Sequence, residues 1–368
     1  MFLTLRLLTI FIFLSSYLFG VSQIIKNDTA VKIPLKIKTI KMPKYPVADF
    51  PKKSVEVFEI QIIQRLRDSV QLGFILKGLD DHVGQLQPSK PLTILLQEHI
   101  VKMYKDDYKK NGVKILWVIK KLRIGERSGL LQYSYLKFNA DSYFLTETDK
   151  YKIAATIDTV FFSESGADVT AWHGQEIEDA MKLLLKETLK NAIGISNAET
   201  TYSLEDINKL STPQLNFPIL FDTNYAEGAY KNFEEFLQNK PSVVNYEPVM
   251  VVKGKSKYIT GFKNSNNDSI KIWGVCKNGD LYKYTESQLV SLEKSGNGFI
   301  VSTYAENTNK RNNDVFMKSV MGGLAGGLIG LSTANKGSLL VKTIPGITKA
   351  SKQPDACVID MDTGELAF

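Results

Sequence analysis

The 368-residue chain is poor in the side chains that most metal and redox chemistry requires. It has two cysteines, Cys276 and Cys357, and three histidines, His82, His99 and His173. That set matches no standard zinc-ligand spacing. No serine or cysteine lies in a nucleophile-elbow pattern that would give a histidine base something to activate. A glycine phosphate loop is also missing, because Val252-Lys253-Gly254-Lys255-Ser256 lacks the first glycine and its spacing. No uninterrupted apolar run reaches the roughly 20 residues of a membrane-spanning helix. Basic residues exceed acidic ones only enough for a net charge of +7, and they are spread out. The densest stretch, Lys32 to Lys44, alternates lysine with apolar residues and reads as an extended segment with a solvated face. No nucleic-acid partner is expected from that distribution, and the mild positive charge favours acidic surfaces such as lipid headgroups or glycans.

The first 22 residues are the most informative part of what is present. Arg6 precedes an apolar run from Leu7 to Phe19, and Gly20-Val21-Ser22 supplies small residues before the chain turns polar at Gln23. This order predicts a secretory signal peptide over residues 1–22. Its apolar run of about 13 residues is short for a permanent anchor. The expected location is therefore outside the cytoplasm: periplasmic, outer-membrane-associated or extracellular. The rest has ordinary globular composition, 43% hydrophobic and 23% charged. In an oxidising compartment Cys276 and Cys357 could form a disulfide, with two buried thiols as the alternative.

Periodicity divides the remainder into two halves, an α+β domain over residues 31–198 and a mostly-β domain over 219–368, with 199–218 as a linker. In the first, Leu92, Leu95, Leu96, Ile100, Met103 and Tyr104 recur at helical spacing within Ser89 to Gly112. Strands are expected at Val31 to Ile40, Lys114 to Ile124, Tyr133 to Phe144 and Tyr151 to Phe162. The last would place Tyr151, Ile153, Ala155, Ile157, Thr159 and Phe161 on one face. Val55 to Lys77 has no clear phase. A closing helix from Gly174 to Ile193 carries Ile177, Met181, Leu184, Thr188 and Ala192 on one stripe. A helix, neighbouring strands and a helix imply an antiparallel sheet covered on one face. That order is similar to accessory lipoprotein domains of envelope transport and secretion systems.

In the second half, Asn232 followed by Glu235 marks a helix start, and Pro241 ends that helix. Asn278-Gly279 between Lys271 to Cys276 and Leu281 to Tyr284 predicts a tight hairpin. Gly298 to Tyr304 and Ala356 to Met361 are further strand candidates. The succession GAYKNFEEFLQNKPS (Gly228 to Ser242), IWGVCKNGDLYKY (Ile272 to Tyr284), SLEKSGNGF (Ser291 to Phe299) and VIDMDTGEL (Val358 to Leu366) resembles a group of uncharacterised secreted proteins of Bacteroidota-type bacteria, over residues 218–368. The resemblance implies an exported protein and carries no activity with it.

Three features invite a functional reading. Gly322, Gly323, Gly326, Gly327 and Gly330 lie within the glycine-rich segment 319–334, at spacings that let two helices approach closely. Membrane contact or self-association is one expectation, and a poorly ordered insertion or a helix packed on its own domain the other. Asp362-Thr363-Gly364 spells the aspartic-protease triplet, but only once, and reads as a tight turn. Tyr133, Tyr135, Tyr143, Phe144 and Trp117 are expected in the core or as cross-strand pairs, with an exposed face for glycan or peptide as the alternative. Together these observations predict an exported, non-catalytic binding or scaffolding module of the cell envelope that requires no cofactor. Its partner would be an envelope protein, glycan or lipid surface. An accessory subunit of a membrane transport or secretion assembly and a hydrolase are the other two classes.

Overall fold

The computed structural model describes residues 35–44, 55–77, 81–129, 131–147, 149–191, 200–254, 256–314, 339–341 and 344–368. The expected leader and the five glycines from Gly322 to Gly330 lie outside these residues. The first sheet contains β1 (Lys36–Ile40), β2 (Val57–Gln64), β3 (Gly73–Lys77), β4 (His82–Pro88), β5 (Val113–Ser128), β6 (Gln132–Glu147) and β7 (Lys150–Ser165). Their order is β1-β4-β3-β5-β6-β7, with β2 also on β5. The long β5, β6 and β7 pair antiparallel, as expected. The sheet is nevertheless mixed. β1 runs parallel to β4, and both β2 and β3 run parallel to β5.

β2 and β3 share one edge of β5. β2 occupies Val113 to Ile119, and β3 meets it at Gly73 opposite Ile124. Gly73 has φ +147°, and a Cβ there would lie 1.7 Å from the Ile124 carbonyl oxygen. Glycine is what lets the second strand reach that edge.

Helices α1 (Leu92–Tyr104) and α2 (His173–Asn191) cover one face. The stripe expected for α1 is wholly buried, and Ile177, Met181, Leu184 and Thr188 of α2 are buried as well, while Ala192 lies outside the described residues. They pack with Trp117, Ile119 and Phe138 into one cluster. This is an α+β protein.

The region expected to be a linker is structured. Tyr202 bridges to Tyr151, and α3 (Leu204–Ser211) follows with Ser203 and Asp206 forming a reciprocal capping box. α3 places Ile207 against Leu116, Val118 and Tyr143 on the face of the sheet away from α1 and α2.

The second sheet is antiparallel. It contains β8 (Gly228–Tyr230), β12 (Gly274–Lys277), β13 (Asp280–Tyr284), β14 (Leu289–Ser295), β15 (Gly298–Val301), β16 (Val358–Ile359) and β17 (Leu366–Ala367). The order is β17-β16-β15-β14-β13-β12-β8. Asn278 and Gly279 take φ +54° and +79°, the turn expected between β12 and β13. α4 (Phe233–Leu237) starts with the Asn232 side chain accepting from the Glu235 N–H. Its Phe236 packs on Trp273 and Phe299. A separate three-stranded arm, β9 (Tyr246–Lys253), β10 (Ser256–Asn264) and β11 (Ser269–Ile270), was not foreseen from the sequence. Of the stretch compared with a phosphate loop, Val252 and Lys253 end β9, Gly254 has φ +63° and Ser256 begins β10. Residues 304–314 form a further helix, α5.

Residues 36–368 group as one unit, which takes in both of the expected halves. Phe368 sits against Tyr135, and Gly125 leaves it room: a Cβ there would be 2.8 Å from the ring. Asn312 Nδ2 donates to the Asp81 carbonyl at 2.9 Å, tying α5 to the entry of β4. Among the described residues, no helix is long and apolar enough to cross a membrane.

Candidate functional site

β5 sends Lys121 and Arg123 towards the second sheet, while Leu122 and Ile124 join the core on the helix side. The pairing skips Lys120, and this bulge shifts the phase of the strand. Lys137 of β6 and Val160 of β7 share the outward face. Opposite them stand β15, β16 and the Asp360–Gly364 turn, and the Leu66–Gln71 connection closes one side. The cleft enclosed in this way has a volume of about 350 Å³. Val160, Phe299, Ile344, Ile359, Met361 and Phe368 supply its apolar wall.

The charges around the cleft are almost all neutralised. Arg67 Nη2 lies 2.9 Å from Asp362 Oδ1. Lys121 Nζ lies 2.8 Å from Asp360 and 2.6 Å from Asp362. Burial opposes the charge on Lys121, but hydrogen bonds to the two aspartates overrule it and raise its pKa. Burial likewise opposes ionisation of Asp362, yet Lys121 and Arg67 hold its carboxyl below the usual carboxylate range. Lys120 pairs with Asp141, and Lys137 with Asp158. Asp68 Oδ1 accepts from the N–H groups of Val70 and Gln71, so it serves its own turn.

Arg123 is the exception. Among the described residues no carboxylate pairs with it, and its Nε is buried without a hydrogen-bond partner. It stands beside Cys357, whose thiol burial pushes up to about 11 despite the pull of that guanidinium.

Asp362-Thr363-Gly364 is a tight turn. The N–H groups of Thr363 and Gly364 both donate to the Asp360 carbonyl, and Gly364 has φ +74°. It joins β16 to β17.

Cys276 and Cys357 are both free and buried. Cys276 lies in β12, and Cys357 precedes β16. Three strands intervene, so the two lie about 19 Å apart at the usual inter-strand spacing, far beyond disulfide reach. The thiol alternative is the one the fold adopts.

The aromatic residues offered as a ligand face are all buried. Trp117 and Phe144 pack under the helices, and Tyr133 and Tyr135 lie against Ile344, Ile347 and Phe368. Tyr143 meets Tyr202 edge-on.

The histidines divide by environment. His82 is exposed at the start of β4. His99 Nε2 lies 2.9 Å from Glu178, linking α1 to α2. His173 is fully buried between Glu126 and Glu176, at 2.5 and 3.2 Å. Burial pulls its imidazole down, but hydrogen bonds and charge from the two glutamates push its pKa up to about 9. Ser134 Oγ donates to Glu176 at 2.7 Å and lies 3.2 Å from His173 Nδ1. A serine, a histidine and carboxylates in contact suggest a nucleophilic triad. This histidine is protonated at neutral pH and cannot accept a proton, and Ser134 is 0% exposed. The cluster is a structural clamp that joins α2 to β5 and β6. Among the described residues no group of three or more His, Cys, Asp or Glu side chains could hold a metal ion.

The fold and cleft therefore define an α+β protein with an apolar cavity between two sheets and one uncompensated guanidinium on its wall. No protein-family model matches the sequence, and no curated protein matches it. Among solved structures, protein XCC0632 from Xanthomonas campestris, of the DUF330 family, is similar at 13% identity and a TM-score of 0.31. The match covers 44% of this chain and 99% of that one. A superposition that loose transfers no function.

Proposed function

We propose that this is an exported cell-envelope protein that binds rather than catalyses, holding a small amphipathic acid in the cleft between its two sheets. The observation that carries this reading is the pairing of an apolar wall with Arg123, whose buried Nε has no partner. A buried donor without an acceptor is costly, and a carboxylate or phosphate placed there would satisfy it. The volume of about 350 Å³ lies at the lower end for small-molecule sites. The leader-like start of the sequence supports export. The remaining acids and bases of the cleft are engaged, Asp68 by the N–H groups of its own turn and the others in mutual pairs.

Calorimetric titration of the full chain with dodecanoate, and separately with dodecyltrimethylammonium, tests the ligand class. The expected result is saturable 1:1 binding of the anion alone, weakened about tenfold or more by Arg123→Gln. Equal binding of the cation, or an indifferent Arg123→Gln variant, overturns it. Export is tested by sequencing the N-terminus of the protein recovered from its native cells. A start near Gln23 is expected, and a cytosolic chain that retains Met1 would refute that part.

A further inference from the structure

The arm outside the cleft carries a second binding feature. Among the described residues β9 pairs only with β10, so its other edge is open. The direction of its backbone groups can be worked out from its neighbour. Ile259 of β10 lies opposite Met250. Its N–H donates to the Ser287 carbonyl, and its own carbonyl accepts from the Tyr284 hydroxyl. Both groups therefore face away from β9, and Met250–Ile259 is a pair without mutual hydrogen bonds. The N–H and C=O of Met250 must then point to the open edge, and by alternation so do those of Val252 and the carbonyl of Pro248. Thr260 Oγ1 bonds the Val249 carbonyl on the inner side, as that alternation requires. Pro248, which has no N–H, falls at an outward position and takes nothing from the β9–β10 ladder. Open edges are usually blunted by charge or brevity. Pro248 and Lys253 guard the two ends of this edge, and between them Met250, Val251 and Val252 are 39%, 49% and 64% exposed.

The order of residues along the edge is self-complementary. One face of β9 carries Glu247, Val249, Val251 and Lys253, and the other carries Pro248, Met250 and Val252. Glu247 and Lys253 are both exposed. We propose that a second copy of this chain adds its β9 antiparallel to this edge, with the two-fold axis at Met250. In that register Glu247 meets the partner's Lys253, Val249 meets the partner's Val251, and Met250 meets the partner's Met250. Every cross-strand pair on the charged face is then apolar–apolar or of opposite sign. A parallel pairing in register would set like charges side by side and cannot close about a two-fold axis. The dimer would carry a continuous sheet through both arms and leave both clefts open. It does not depend on what the cleft binds.

Sedimentation velocity on the full chain, from low to high micromolar concentration, tests the proposal. A concentration-dependent dimer is expected. Glu247→Lys and Lys253→Glu should each weaken it at least tenfold, and the double exchange should restore it, which an unspecific apolar contact would not do. Val252→Pro, which removes an outward donor at an exposed position, should abolish the dimer with the fold intact by circular dichroism. Met250→Cys should cross-link covalently between copies under mild oxidation, since the two native thiols are buried. A monomer at every concentration overturns the proposal, as does a dimer indifferent to the charge exchange. Binding of the arm to phosphatidylcholine–phosphatidylglycerol vesicles without self-association would also overturn it.

Discussion

At the scale of single residues the most consequential side chain is His173. Its imidazole is held charged by Glu126 and Glu176, so its pKa is about 9 when folded against an ordinary value of 6.5. A base stabilised in this way contributes fully below about pH 6.5 and loses its contribution as the pH rises through about 9. The size involved is on the order of 3 kcal/mol. Glu176 acts with the opposite sign: its carboxyl is depressed, so its contribution is lost as the pH falls below the ordinary carboxylate range. Urea denaturation across pH should therefore give greatest stability between about pH 5 and 7. His173→Gln should cost about 3–5 kcal/mol at pH 6.5, by leaving buried carboxylates uncompensated, and should flatten the alkaline limb. Little of this cluster was legible in the sequence. Glu126, Ser134 and His173 belong to three different elements, and no spacing rule links them. Arg123 gave no signal either, since what distinguishes it is a missing partner. By contrast Asn232 and the Asn278-Gly279 pair could be read directly, because their work is local.

At the scale of elements, local chemistry and side-chain period were readable wherever a strand or helix was regular. The two long helices and, between their bulges, the three longest strands follow their apolar patterns. The pattern fails at bulges. Pairing of β2 with β5 skips Phe58, so Val57 and Ile60 both lie buried, three residues apart, and no alternation emerges. In β7 the pairing skips Ala154, which turns Ile153 outward to 41% exposure although it alternates with Ala155 in the sequence. α3 escaped notice for another reason. It buries one apolar residue, Ile207, so it has a cap but no stripe. The hairpin between β12 and β13 offers a clean test. Gly279→Val places a β-branched residue at φ +79°, which should cost about 1–3 kcal/mol. The midpoint of urea denaturation should fall with its slope unchanged.

At the scale of the molecule, the expectation of two halves came from periodicity, which fades across residues 199–218, and periodicity is blind to long-range pairing. Asp360 and Phe368 are far along the chain from β5 and β6, yet Asp360 pairs with Lys121, and Phe368 packs on Gly125 and Tyr135. Calorimetry should accordingly show one cooperative transition, with calorimetric and van't Hoff enthalpies in agreement. Phe368→Ala should lower that transition as a whole, by about 3–5 kcal/mol. Two separable transitions, only one of them shifted, would restore the two-half view. The pair of sulfhydryls gives this question its own instrument. They sit near opposite ends of the second sheet, and each is quiet towards alkylation while covered, with thiol pKa values of about 12 and 11. Each therefore acts as a clock that starts only when its own end of the sheet breathes. Mass spectrometry after timed iodoacetamide exposure would show whether the two ends open together or one ahead of the other, with no label added to the chain.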